Sequence, residues 1–113
     1  MRVLVVGAGR VGTKVIRQLQ KNPNLTVVTV DPHDKPYAVQ QGVITAVDVQ
    51  EALTPFTLAY ILEKTKPDLV LLTRATEDLG LGKAPGMDIL VDSLRKELAA
   101  ISQLPMIEVA RTG

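Results

Sequence analysis

Short, almost unbroken apolar runs alternate along this chain with longer stretches in which apolar residues recur every three or four positions. Residues 2–6 (RVLVV) are short and Val-rich, which predicts a buried strand. Residues 11–22 change period. Val11, Val15, Ile16 and Leu19 fall on one face, and Lys14, Arg17, Gln18 and Lys21 on another. That pattern predicts an amphipathic helix, which Asn22-Pro23 stops. Residues 25–30 (LTVVTV) predict a second strand ending at Asp31. The turn-rich DPHDKP follows, then a short helix over residues 37–41 closed by Gly42. Residues 43–47 predict a third strand ending at Asp48.

Thr54-Pro55 has the composition of a helix start, with Thr as the cap and Pro in the first helical position. That helix turns Leu58, Ile61 and Leu62 inward and ends near Lys66-Pro67. Residues 68–73 (DLVLLT) predict a fourth strand. Residues 74–86 contain three glycines and a proline and read as a loop. Residues 87–101 place Ile89, Leu90, Leu94 and Leu98 on one side of a helix, and residues 106–110 predict a fifth strand. Strands joined by helical crossovers form a parallel sheet covered on both faces. The expectation is an α/β, doubly wound, five-stranded parallel sheet in the order 3-2-1-4-5. It is three layers deep, and residues 1–113 make one domain.

Composition narrows the function classes. The chain has 113 residues, a net charge of +1 and scattered basic residues. Aromatics are 3% of it, which argues against a base-stacking nucleic-acid platform. There is no Cys and a single His, His33, so thiol chemistry, Cys-ligated metals and a His-built metal site are not expected. No apolar run reaches the length of a membrane span, and no signal peptide is evident. A cytoplasmic protein without membrane insertion is the expectation.

The sharpest motif is GAGRVG, a full G-x-G-x-x-G formed by Gly7, Ala8, Gly9, Arg10, Val11 and Gly12. It leaves the first strand and opens the first helix, and Asp31 follows Gly12 by nineteen residues. This is the context of the dinucleotide-binding fingerprint of Rossmann-type domains. Gly7 makes the tight turn, Gly9 lets backbone approach a pyrophosphate, and Gly12 lets helix and strand pack closely. The helix N-terminus supplies N–H groups to the phosphates. Asp31, with Pro32 beside it, can accept the ribose hydroxyls. A carboxylate there repels a 2′-phosphate, favouring NAD(H) over NADP, although His33, Lys35 and Arg10 are close in sequence. S-adenosylmethionine methyltransferases also combine a Gly-rich loop with an acidic residue after the second strand. They stand as an alternative that the three-glycine spacing disfavours.

The stretches VLVVGAGRVGTKVIRQL, ITAVDVQEAL, DLVLLTRATED and MIEVAR, with the Asp31 strand end, resemble the nucleotide-binding core of the regulator-of-potassium-conductance (RCK) domains, the TrkA N-terminal domain family. The resemblance implies an acidic residue beside the adenine at the third strand's end, matched by Asp48 with Val49 next to it. It also implies a Thr-rich turn near the cofactor after the fourth strand, matched by Thr73, Arg74 and Thr76. Two features depart from the family: VDVQEAL replaces its usual Gly-Asp-Ala/Thr turn, and the loop after the fourth strand is longer.

These readings imply a nucleotide-sensing or regulatory module, alone or with a larger protein partner. A small oxidoreductase that completes its active site across an oligomer is the enzymatic alternative. His33 sits on the adenosine side, away from hydride chemistry. Glu77, Asp78 and Lys83 fall in the long loop and read as solvated charges, and Arg74 is placed to touch a phosphate or pair with Glu77. The fifth strand is apolar and lies at the sheet edge, so a homodimer through it and the last helix is expected.

Overall fold

The computed structural model describes residues 1–73, 87–101 and 104–109. Four strands form one parallel sheet: β1 (Arg2–Val6), β2 (Thr26–Val30), β3 (Leu69–Thr73) and β4 (Met106–Val109), in the order β2-β1-β3-β4. The helices among the described residues are α1 (Arg10–Gln20), α2 (Tyr37–Gln40), α3 (Leu58–Thr65) and α4 (Met87–Ile101). Register is continuous through the centre, with Val6 opposite Val30 on one side and Leu72 on the other.

The strand periodicity explains why the runs are apolar throughout. Successive side chains point to opposite faces. Leu4, Val6, Val30, Val70 and Leu72 enter one core with Leu58 and Ile61 of α3 and Leu94 and Leu98 of α4. Val3, Val5 and Leu71 enter the other with Ile16 of α1 and Ala38 of α2. Both faces of β1 are therefore covered, and Leu4 and Val5 are fully buried. Both cores are aliphatic. The chain's three aromatic residues all lie on the surface: Tyr37, Phe56 and Tyr60. The side chains of Ile89 and Leu90, and residues 74–86, expected as a loop, lie outside the described residues.

The expected third strand does not form. Residues 43–47 are irregular, and a single parallel bridge joins Val49 to Val30. A parallel neighbour must first travel back along the sheet, about 17 Å for a five-residue strand. The helix available for that return, α2, has four residues and spans about 6 Å. The chain therefore rejoins β2 only near its C-terminal end, where Val49 N–H donates to the Thr29 carbonyl and Asp31 N–H to the Val49 carbonyl. The five-stranded order 3-2-1-4-5 is corrected to four strands, with this one bridge where the third was expected.

Local start and stop signals hold with small shifts. Thr54 does cap: its Oγ1 accepts the N–H groups of Phe56 and Thr57 at 3.2 Å. It caps a turn over residues 55–57, however, and α3 begins at Leu58. There Thr57 Oγ1 donates to the Ala52 carbonyl at 2.7 Å, holding the turn against the preceding segment. Among the described residues no helix is long and apolar enough to cross a membrane.

Candidate functional site

β1 and β3 end side by side, and the crossovers that follow them pack on opposite faces: α1 in one core and α4 in the other. Open parallel sheets form a crevice at such a switch point, at the carboxyl ends of the strands. The glycine motif sits there. Gly7 N–H still donates to the Val30 carbonyl at 2.7 Å, continuing the pairing one residue past β1. The backbone then turns through Gly7 at φ 96°, a left-handed conformation that disfavours any residue with a Cβ.

Gly9 is the N-cap of α1 and no side chain caps it. The first helical bond is Thr13 N–H to the Gly9 carbonyl at 2.8 Å. The first-turn N–H groups of Arg10, Val11 and Gly12 thus have no intrahelical acceptor. Gly12 is where helix and turn touch. A Cβ there would overlap the Gly7 carbonyl oxygen, so α1 can approach the turn this closely only with glycine at that position.

Asp31 reaches the same turn from β2. Its side chain is fully buried. Oδ2 accepts the Ala8 N–H at 2.8 Å. Oδ1 accepts the His33 N–H at 2.8 Å and lies 2.8 Å from His33 Nδ1. The ribose contact expected of Asp31 therefore has to displace the His33 ring or use the remaining lone pair on Oδ2. Ala8 is buried and its carbonyl accepts the Ala38 N–H at 2.9 Å, which seats α2 on the glycine turn. Pro32 is half-buried beside Asp31.

Of the positions singled out by the family resemblance, the described ones, Asp48, Val49 and Thr73, are held inward. Asp48 Oδ2 accepts both the Thr29 N–H, at 2.8 Å, and the Thr29 hydroxyl, at 3.1 Å. Its carboxylate occupies the edge of β2 where a paired strand would offer a carbonyl. Val49 is buried in the core with Val30. Thr73 is fully buried, and its hydroxyl donates to the Val6 carbonyl at 2.8 Å, tying the ends of β3 and β1 together. Arg74, Thr76, Glu77, Asp78 and Lys83 lie outside the described residues.

The residues present fit a pyrophosphate on the uncapped turn of α1: a left-handed Gly7, free N–H groups and a glycine-only helix contact. The acidic groups expected on the adenosine side, Asp31 and Asp48, already accept backbone N–H groups. Sequence reading missed one neighbouring feature, a cavity between α1 and α2 lined by Arg10, Lys14, Arg17 and Tyr37. The basic spacing on α1 was visible, but its closure by Tyr37 depends on where α2 docks. No family model, curated protein or solved structure matches the chain.

Proposed function

We propose that this protein is a Rossmann-like dinucleotide-binding domain that takes NAD(H) and works as a nucleotide-sensing or regulatory module, in the manner the RCK resemblance implies. The observation that carries the reading is the uncapped N-terminus of α1, aimed at the sheet's carboxyl edge and held against Gly7 by Gly12. Anions bind such a terminus because its N–H groups and the helix dipole both favour negative charge. In this reading Gly7, Gly9 and the first turn of α1 hold the pyrophosphate, with Ala8, Arg10, Val11 and Gly12 in the same turn. Asp31 and Pro32 border the ribose, Asp48 and Val49 the adenine side, and Thr73, with Arg74 next in sequence, ends the strand near the cofactor.

A binding role suits the acid and base groups near the turn better than a catalytic one. Asp31 is engaged with His33 and the Ala8 backbone, and Asp48 with Thr29. General acid–base catalysis needs a side chain free to reach the reacting atom. Bound, the dinucleotide would bring its own redox chemistry, and the chain's part is to seat and orient it.

The test is a fluorescence titration of wild type and Gly9→Val with NADH, with far-UV circular dichroism on the same samples. The valine side chain fills the space the pyrophosphate needs, so NADH binding is expected to vanish while the helical signal stays. Unchanged affinity would make the glycines structural only. Mass spectrometry of small molecules released from the purified protein separates NAD from S-adenosylmethionine.

A further inference from the structure

α1 carries a feature that seating a pyrophosphate does not use. Arg10, Lys14 and Arg17 are all exposed and recur at i, i+4 and i+7. They make one stripe about 10 Å long. With Val11, Thr13 and Tyr37 they line a cavity of about 290 Å3 between α1 and α2. The Arg10 guanidinium lies 5.7 Å from the centroid of the Tyr37 ring, so one cation already rests over the aromatic wall.

The charge in this cavity is of one sign. Neither α1 (RVGTKVIRQLQ) nor α2 (YAVQ) contains Asp or Glu. Thr13 turns its hydroxyl away, donating to the Gly9 carbonyl at 2.6 Å. Among the described residues no carboxylate pairs with Arg10, Lys14 or Arg17. An ordinary solvated helix face mixes signs, as α4 does where Lys96 meets Asp92 one turn away at 3.0 Å. Three unneutralised cations around one concavity repel each other until an anion joins them.

We propose that this cavity is a binding site for a phosphate dianion carried by a small molecule distinct from the dinucleotide. Two guanidinium forks and an ammonium match the charge and the tetrahedral oxygens of one phosphate group. Three cations are too few to follow a nucleic-acid backbone. Lys14 and Arg17 lie about 6 and 10 Å along the helix from Arg10, beyond the free N–H groups that would hold a pyrophosphate. Asp31 at the end of β2 opposes a 2′-phosphate on the ribose, which favours a separate ligand. The site stands whether or not NADH binds the glycine turn.

The experiment is a titration of the 15N-labelled full chain with inorganic phosphate, against chloride at matched ionic strength. Saturable shifts are expected at Lys14, Arg17 and Tyr37 with phosphate only. The double variant Lys14→Ala/Arg17→Ala should weaken binding by at least about tenfold. Both residues are exposed, and the variant's own spectrum reports whether it is folded. Tyr37→Leu, with the cations intact, should keep binding within a few-fold. No saturable response up to about 10 mM, or a double variant that binds as wild type does, overturns the proposal. So does displacement of phosphate by NADH, which would place both on the glycine turn. Displacement by NADPH but not by NADH overturns it as well, because the phosphate held in the cavity would then be the dinucleotide's own 2′-group rather than a separate ligand's.

Discussion

Asp31 Oδ2 accepts the backbone N–H of Ala8 at 2.8 Å, joining the end of β2 to the centre of the glycine turn across 23 residues of chain. The carboxylate is buried and its other oxygen holds the His33 backbone. It fixes the turn's shape, and for the proposed dinucleotide that preorganisation would lower the ordering cost of binding.

Replacing this strut should be costly. Asp31→Ala leaves the buried Ala8 N–H without an acceptor and is expected to lose about 2–4 kcal/mol. Asp31→Asn keeps one acceptor and should lose about half as much. Urea unfolding of the two variants measures both. A loss below about 0.5 kcal/mol for Asp31→Ala would show that the contact does not hold the turn.

Gly12→Ala should destabilise through sterics alone. Its Cβ would overlap the Gly7 backbone carbonyl, so the turn and α1 would have to move apart. The expected loss is at least about 2 kcal/mol, with NADH affinity falling in parallel. A variant that melts at the wild-type temperature would contradict the close approach.

The Asp31 carboxylate also sets the expected cofactor choice. Calorimetry should give NADH an advantage over NADPH of about ten- to hundredfold, the worth of one charged hydrogen bond. His33→Ala removes the ring from Oδ1 and should tighten NADH by about two- to tenfold. Equal binding of the two cofactors would place the ribose away from Asp31.

β4 lies at one end of the sheet, and Ile107 on it is 51% exposed. Unpaired strand edges with apolar side chains promote association. A homodimer through β4 and α4 is expected in sedimentation equilibrium, and Ile107→Lys should shift it toward monomer. Wild-type protein that stays monomeric at high micromolar concentration would refute the edge pairing.

Local pattern along the chain was enough to place the four strands that form, α1 with its polar face, and the glycine turn between β1 and α1. Each follows from a local rule: the period of apolar residues states how many faces an element buries, and Gly7 and Gly12 state where backbone must turn or touch. The fate of residues 43–47 depended on docking: they are Val-rich enough for a strand but follow a helix too short to bring them alongside β2. Docking also decided what the polar groups do. Asp31, Asp48 and Thr73 stand at the strand ends the sequence assigns them, yet their oxygens meet Ala8, Thr29 and Val6. Periodicity encodes what a segment buries. It does not encode which backbone group, many residues away, a buried oxygen will find, because that depends on how the strands and helices dock.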